Sequence, residues 1–354
     1  MPVCEGAASV RGKADTKTFT VAPGERAALP LNFVRVDTRL EVTVSAKKFQ
    51  PFQLGRGGAD LYRGGWVEVT DKDVIMYDVI LVNKVLEEDH AIDGGGAKAK
   101  VARVRAPKEK LRFEHGMNLS KVKSVHVCID CVHETVTLTM KAGKQCFETP
   151  LKGWWAGGEP YVSNLGTEPV RAELSFTRCK ADASVWYVGA SYFNTATASR
   201  WPYYMRKEGY DDFMADHLPG GSSVQMLGCF KDDLRFGTPK IAVWMMMANN
   251  KADTDVIDPD WLRDTQEFIS ICKEKGIEPI LTIYPKIAKN HTLKSEWIRR
   301  SGLRYVDLYT IMCNPDGSWR NPAWLGKDKV HPTSEGAKAM WEGIKRDLPD
   351  LFKK

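Results

Sequence analysis

Three side chains in the second half of this 354-residue sequence could together carry out nucleophilic chemistry: Ser191, Asp328 and His331. A serine hydroxyl becomes a nucleophile when an imidazole takes its proton, and a carboxylate orients the imidazole and stabilises its charged form. Asp328 and His331 stand in one D-x-x-H segment just before a predicted helix, so a single turn can carry both. Taken alone, each residue also has an ordinary explanation, as a turn serine or a surface-loop histidine.

A further segment could bind the negative charge that develops on an attacked carbonyl oxygen. Asn249 follows an apolar stretch and carries a side-chain amide, although a turn asparagine is the simpler explanation by itself. Gly220 and Gly221 stand in a glycine-rich turn between the serine and this asparagine. The order serine, glycine, asparagine and D-x-x-H, each at a predicted strand or helix end, is much more specific than any single member.

The elements that must position these groups alternate between strands and helices from about residue 181. The apolar and periodic patterns predict strands at 183–191, 240–250 and 277–285, and helices at 201–218, 258–276 and 332–348. Thr333 or Ser334 is predicted to cap the last helix. Such alternation predicts a parallel sheet covered by helices on both faces. Ligands in these folds bind at the carboxyl ends of the strands, where the polar segments stand.

Residues 17–180 have a different texture, with short alternating apolar and polar stretches separated by turn residues. This pattern predicts an antiparallel β-sandwich. The predicted organisation is therefore an N-terminal tail over 1–16, a β-sandwich domain over 17–180 and an α/β domain over 181–354.

The second half resembles the SGNH (GDSL-like) hydrolases, whose sequence blocks contribute Ser, Gly, Asn and His. YVGASYFNTATASRWPYY resembles block I of bacterial members, including the Ser199-Arg200 pair. GKDKVHPTSEGAKAM matches D-x-x-H-P-T-x-x-G, and MMMANN resembles a block III variant. Residues 58–62, GADLY, resemble the G-x-D-L-Y signature of a jelly-roll-like β-sandwich domain that precedes such hydrolases in bacteria.

The resemblance implies an SGNH-type, flavodoxin-like parallel sheet and a serine esterase that acts through an acyl-enzyme. It assigns the nucleophile to Ser191, the base to His331 and the orienting carboxylate to Asp328. It also implies small acyl groups, often acetyl on carbohydrate, as the substrate, and no metal or organic cofactor. The expected partner is therefore a small-molecule or oligosaccharide ester.

The same resemblance assigns the oxyanion hole to the backbone N–H of Ser191, the N–H of Gly220 or Gly221 and the side-chain amide of Asn249. Gly221 is slightly preferred over Gly220 as the glycine donor. Three positions depart from the family pattern without removing an atom of the proposed triad: Ala190, Thr197 and Asn250.

Two other functions fit the same residues. One is a non-catalytic carbohydrate-binding protein on an esterase fold, and the other is a thioesterase or lipase that uses the same triad. Aromatic residues such as Trp66, Trp154 and Trp155 could stack on sugar rings, or could fill the sandwich core or the domain interface. No long apolar lid segment of the kind that lipases use stands out.

Charge and hydropathy disfavour two classes of partner. The formal net charge of +6 is small for 354 residues and the basic residues are scattered, so we expect no nucleic-acid partner. No apolar run reaches the roughly 18 residues needed to cross a bilayer, so we expect no membrane partner. The N-terminal segment lacks the apolar region of a signal peptide, which leaves an intracellular protein or one whose leader was removed. The sequence leaves the compartment and the oligomeric state open.

A C-x-x-C pair, Cys128 and Cys131, has His126 and His133 nearby and invites a zinc-site interpretation. The surrounding segment alternates and is rich in β-branched residues, which predicts a strand. Side chains three positions apart in a strand point to opposite faces of the sheet. We therefore expect no metal site at this pair.

Overall fold

The computed structural model describes residues 13–31, 36–57, 64–87, 100–132, 135–152, 158–193, 195, 197–218, 220–247, 255–285 and 289–352. Over these residues the chain is a mixed α/β protein with two antiparallel sheets and one parallel sheet.

The described residues up to Arg178 form twelve strands in two sheets. They are β1 (Ala14–Val21), β2 (Arg26–Ala28), β3 (Thr38–Ser45), β4 (Phe52–Arg56), β5 (Gly65–Val69), β6 (Asp73–Glu87), β7 (Lys100–Glu114), β8 (Ser124–Val132), β9 (Thr135–Ala142), β10 (Gln145–Pro150), β11 (Pro160–Asn164) and β12 (Val170–Arg178). One sheet has the order β1-β12-β3-β8-β9-β10 and the other the order β2-β11-β4-β5-β6-β7. Neighbouring strands are antiparallel in both sheets.

The period-two pattern of the sequence explains how these sheets bury their apolar side chains. In β3 every second residue is buried, including Leu40 and Val42, and the residues between them are half-buried. Val42 in one sheet and Leu54 in the other belong to a single hydrophobic core. The predicted antiparallel arrangement of this half is confirmed, but the predicted tail over 1–16 extends too far. The first strand begins at Ala14, which pairs with Thr177 of β12.

The described residues after Arg178 form five strands and six α-helices. The strands are β13 (Val185–Gly189), β14 (Phe213–His217), β15 (Ile241–Met245), β16 (Glu278–Ile283) and β17 (Tyr305–Asp307). The helices are α1 (Trp201–Lys207), α2 (Ser223–Asp233), α3 (Pro259–Glu274), α4 (Lys289–Arg300), α5 (Leu308–Met312) and α6 (Ser334–Asp347). Short 3-10 helices cover Ser191–Phe193, Pro322–Trp324 and Pro349–Phe352.

The five strands form one parallel sheet, as predicted, in the order β14-β13-β15-β16-β17. This is the flavodoxin-like order, in which the chain runs first to one side of the starting strand and then to the other. Every position of β13 and β14 is buried, so both faces of the sheet are covered there. The crevice at the carboxyl end of β13 is the topological switch point, where ligands bind in such sheets.

The predicted helix over 201–218 is wrong in its second part. Helix α1 ends at Lys207, and Phe213–His217 is strand β14, paired in register with β13. All five residues of β14 are buried. The gain from pairing a short apolar segment with β13 therefore outweighs its local compatibility with a helix. The final helix is as predicted, and Thr333 rather than Ser334 is its N-cap, accepting the N–H of Gly336 at 3.3 Å.

A buried ion-pair cluster joins the last antiparallel strand to the parallel sheet. Arg178 of β12 is fully buried and donates to both carboxylate oxygens of Asp233 in α2, at 2.7 and 2.9 Å. It also donates to Asp216 of β14 at 3.0 Å and to the backbone carbonyl of Val36. Burial, reinforced by the charge of Asp233, raises the pKa of Asp216. A guanidinium that serves two carboxylates in this way needs all its partners in place, because each is costly to leave unpaired.

The cysteine pair lies on β8 as predicted. Cys131 packs into the core shared by the two antiparallel sheets, whereas Cys128 lies on the other face of the strand. His133 lies outside the described residues. Among the residues that the structure describes, no three His, Cys, Asp or Glu side chains form a group that could hold a metal ion. None of the described helices has the length and apolar content needed to cross a membrane.

Candidate active site

Ser191 begins the 3-10 turn that follows β13, the first strand of the parallel sheet in chain order, directly after Gly189 and Ala190. The neighbouring strand β14 leaves the sheet beside it, where the N–H of Leu218 donates to the carbonyl of Gly189 at 3.1 Å. The serine therefore lies at the switch point of the sheet, with the exits of β14 and β15 on its two sides.

The structure brings the three predicted side chains into one hydrogen-bonded chain. The hydroxyl of Ser191 and Nε2 of His331 are 2.7 Å apart, and Nδ1 of the same imidazole lies 2.6 Å from Oδ2 of Asp328. With Nδ1 protonated, the imidazole donates to the carboxylate and leaves Nε2 free to accept the serine proton. The serine and the imidazole are half-buried, whereas the carboxylate is more exposed. This arrangement can move a proton from the hydroxyl to the imidazole and hold the resulting positive charge against Asp328.

The D-x-x-H turn holds its own carboxylate. Oδ1 of Asp328 accepts the backbone N–H groups of Val330 and His331, at 3.0 and 2.9 Å. These backbone bonds, first that of His331, and the imidazole bond hold the pKa of Asp328 well below its usual range. Lys329 has a φ of +55°, a conformation that a lysine rarely adopts. The turn is therefore closed tightly enough to place a residue in the left-handed region.

A glycine allows the chain on the other side of this turn to approach closely. The N–H of Gly326 donates to the carbonyl of His331 at 2.8 Å, and Leu325 pairs with Pro332 as an isolated antiparallel bridge. A Cβ at position 326 would lie only 2.7 Å from that carbonyl oxygen. A larger residue at 326 would therefore displace the backbone that carries the imidazole.

An aromatic residue joins the serine turn to the histidine turn. Tyr192, next to Ser191, donates its hydroxyl to the carbonyl of Val330 at 2.5 Å. Its ring packs against the imidazole of His331, with 5.6 Å between ring centroids, and against Tyr284 at 4.8 Å. Burial raises the pKa of Tyr192, so its hydroxyl keeps the proton that it donates. This tyrosine was not predicted from the sequence, where its position directly after the serine is the available signal.

Arg200 acts on the backbone of the serine itself. Its Nε donates to the carbonyl of Ser191 at 2.6 Å, and Nη1 donates to the carbonyl and hydroxyl of Ser199 at 2.8 and 2.9 Å. In the sequence, Ser199-Arg200 belongs to a motif that assigns neither residue a role. The contact indicates that this arginine fixes the backbone on which the serine hydroxyl stands.

The two candidate glycines differ in what their backbone does. The N–H of Gly221 donates to the carbonyl of Leu218 at 2.7 Å and so closes a turn. Gly220 stands at the third position of that turn with a φ of +75°, a conformation that favours glycine. The N–H of Gly221 is thus engaged in the turn. Asn249, the remaining candidate oxyanion donor, lies outside the described residues.

The chain leaving β15 is held by three side chains from three other segments. The hydroxyl of Tyr284 donates to the carbonyl of Met245 at 2.8 Å, and the indole N–H of Trp261 donates to the next carbonyl, that of Met246. Lys294 donates to the carbonyl of Met247 at 3.1 Å. The lysine is buried, which lowers its pKa to about 8. These contacts fix the backbone of Met245, Met246 and Met247, and none of them was predicted from the sequence.

The aromatic residues proposed for sugar stacking are only partly accounted for. Trp66 is half-buried on β5, where it stacks on Tyr77 with 5.4 Å between ring centroids. Trp154, Trp155 and the GADLY segment lie outside the described residues.

Comparison with known proteins gives matches to solved structures alone. No family model matches this chain, and no curated protein matches it either. One match is a protein described as lipolytic and of the G-D-S-L family, from Desulfitobacterium hafniense DCB-2. The matched region covers 46% of this chain and 98% of that protein, with 19% sequence identity and a TM-score of 0.40. The match to a GDSL-like lipase from Bacteroides thetaiotaomicron VPI-5482 covers 48% of this chain and 88% of the lipase, with 20% sequence identity and a TM-score of 0.37. The match to the acetyl xylan esterase AlAXEase covers 46% of this chain and 98% of that esterase, with 17% sequence identity and a TM-score of 0.36.

Proposed function

We propose that this chain is a serine ester hydrolase of the SGNH type that removes small acyl groups, above all acetyl, from a carbohydrate ester. The observation that carries the proposal is the hydrogen-bonded chain from Ser191 through His331 to Asp328 at the carboxyl edge of a parallel sheet. In this proposal residues 181–354 are the hydrolase domain, and residues 14–180 are a β-sandwich domain that precedes it.

In the acylation step, Oγ of Ser191 attacks the ester carbonyl carbon while its proton passes to Nε2 of His331. Asp328 keeps the imidazole in the tautomer that can accept this proton, and its charge stabilises the imidazolium. The carbonyl π electrons move onto the oxygen. The backbone N–H of Ser191, a glycine N–H and the amide of Asn249 bind the resulting oxyanion. Gly220 is the better glycine donor, because the N–H of Gly221 already donates to Leu218.

The intermediate collapses when the bond to the alcohol oxygen breaks and the imidazolium of His331 gives its proton to that oxygen. An acyl-enzyme on Ser191 remains. Water then attacks the acyl carbon and gives its proton to His331, which returns that proton to the serine oxygen as the acid leaves. Every proton transfer in this cycle passes through Nε2 of His331, while Asp328 holds the imidazole at Nδ1.

The deciding experiment compares wild type with Ser191→Ala on p-nitrophenyl acetate. The variant should lose about a millionfold in kcat, down to the background rate, because the nucleophile and the residues that activate it act as a unit. Ser120→Ala is the matched control, since that exposed serine bonds only within its own loop, to Asn118 at 2.7 Å. Circular dichroism should show that both variants are folded. Undiminished turnover by Ser191→Ala would refute the proposal.

Two results would favour the other functions. Rates that rise steadily from acetyl to decanoyl p-nitrophenyl esters would indicate a lipase or thioesterase that uses the same side chains. Oligosaccharide binding without hydrolysis of any ester would indicate a carbohydrate-binding protein.

A further inference from the structure

A cavity of about 430 Å³ lies beside the D-x-x-H turn. Its walls include Trp319, Pro322, Leu325, Val330, Pro285 and Lys329. Most of these side chains are apolar, and one carries a flat indole ring. We refer to this space as the Trp319 cavity. Its volume falls within the range of roughly 300–1,000 Å³ that is usual for small-molecule sites.

The Trp319 cavity shares walls with the candidate active site at two points. Lys329 and Val330, which line the cavity, are the two residues between Asp328 and His331. Pro285 follows Tyr284, whose ring packs on Tyr192 beside the imidazole. A molecule in the cavity therefore lies against the histidine-bearing turn.

The chemistry of the proposed reaction indicates which part of an ester would occupy this cavity. The imidazolium of His331 delivers its proton to the alcohol oxygen, so the alcohol must leave on the side of the imidazole. A cavity walled by the histidine turn is therefore placed for the alcohol part and not for the acyl part. An acetyl group is also far smaller than 430 Å³.

Two features of the lining select among alcohols. The indole of Trp319, with prolines and aliphatic side chains around it, offers a surface to a molecule with a flat, weakly polar face, such as a pyranose ring. Lys329 adds a positive charge that has no ion-pair partner among the described residues. The two carboxylates next to lining residues in the sequence accept from other donors: Asp316 accepts from Ser318, and Asp328 accepts from the imidazole.

We propose that the Trp319 cavity binds the leaving alcohol of the ester, and that this alcohol is an acidic sugar whose ring lies on Trp319 and whose carboxylate pairs with Lys329. The proposal rests on the esterase function above and names its substrate class. Lys329 is suited to this role because the tight turn fixes its backbone next to the reacting groups.

The test uses two monoacetylated substrates that differ only in the carboxylate: an acetylated methyl glucuronide and the methyl glucoside acetylated at the same position. Acetate release gives kcat/KM for each. Wild type should prefer the glucuronide about fivefold at low ionic strength, the scale of a solvent-accessible ion pair, and less at high ionic strength. Lys329→Asn should bring the ratio close to one, and asparagine also tolerates the left-handed backbone at this position. Lys327→Asn, two positions away and outside the cavity lining, is the matched control and should keep the wild-type ratio.

A second variant tests the flat surface. Trp319→Ala should lower kcat/KM for both sugar esters about tenfold, mainly through KM, and leave the glucuronide-to-glucoside ratio unchanged. Phe147→Ala, which removes a half-buried aromatic ring from the antiparallel sheet, is the matched control and should have no effect on either sugar ester.

The outcomes separate this proposal from the proposed function. If wild type cleaves both sugars equally well, or if Lys329→Asn keeps the preference, the acidic-sugar assignment is wrong while Ser191-dependent hydrolysis of p-nitrophenyl acetate still supports an esterase. If Trp319→Ala instead changes the preference between acetyl and hexanoyl esters, the cavity binds the acyl group. Absence of any Ser191-dependent hydrolysis overturns both proposals.

Discussion

Replacing Asp328 by asparagine probes the tautomer of the histidine without changing the size of the turn. In the wild type, Oδ1 accepts two backbone N–H groups, at 3.0 and 2.9 Å, and Oδ2 accepts Nδ1–H of His331 at 2.6 Å. An asparagine has one oxygen, and that oxygen best keeps the two backbone bonds. Its NH₂ group then faces Nδ1, which must accept and therefore carries no proton. The proton moves to Nε2, and the imidazole can no longer take the proton of Ser191.

The expected loss follows from this change of tautomer. A histidine held in the wrong tautomer costs about 10⁴-fold in kcat, or about 5 kcal/mol of transition-state stabilisation, with KM little changed. Alanine should be less harmful than asparagine. The Asp328 side chain is 54% exposed, so water can enter and accept the Nδ1–H bond, which leaves the productive tautomer accessible. The expected order of activity is therefore wild type, Asp328→Ala and then Asp328→Asn.

The assay is kcat and KM on p-nitrophenyl acetate, with thermal unfolding to show that both variants are folded. The backbone bonds keep the pKa of Asp328 below its usual range, so the wild-type carboxylate is ionised at every assay pH above about 4. A folded Asp328→Asn that loses less than tenfold, or that is more active than Asp328→Ala, would contradict this account of the turn.

Two further predictions concern stability. Arg178→Met leaves Asp216 and Asp233 buried without their cation and should lower the free energy of unfolding by about 3–5 kcal/mol. Urea unfolding measures this change, and a decrease of less than about 1 kcal/mol would argue against the ion-pair cluster. Burial lowers the pKa of Lys294 to about 8 in the folded chain, whereas an unperturbed lysine has a pKa of about 10.4. Between these two pH values the unfolded chain binds more protons than the folded chain, so the free energy of unfolding should rise with pH. The difference in urea unfolding free energy between wild type and Lys294→Met should therefore grow in favour of wild type across this range, and a pH-independent difference would contradict the assignment.

The extent to which the sequence predicted the fold depends on how local each signal is. The alternation in β3 and the cap at Thr333 are local, and both predictions are confirmed. The prediction for 213–217 was wrong because that segment is short and apolar, and its strand conformation depends on pairing with β13. A single-sequence pattern contains no information about a pairing partner that lies 28 residues away, as Val185 does from Phe213.

For the candidate site, residue type was informative wherever a side chain itself could react. Ser191, Asp328 and His331 were identifiable for this reason, and the structure places them in one hydrogen-bonded chain. Arg200 and Lys294 were missed because they donate to backbone carbonyls, which every residue has. No pattern of residue types indicates which carbonyl a long side chain will reach.

The 2.7 Å contact between Ser191 and His331 also depends on helix packing, because the two residues are 140 positions apart. Helix α1 starts at Trp201, shortly after the serine turn, and α6 starts shortly after the histidine turn. The two helices pack on each other: Trp201 stacks on Trp341 with 6.3 Å between centroids and 7° between planes, and Tyr204 donates to the carbonyl of Ser334 at 2.8 Å. Each turn is therefore anchored to a helix, and the packing of those helices sets the distance between hydroxyl and imidazole. The large aromatic residues of α1 and α6 thus support the proposed chemistry although none of them touches the reacting groups.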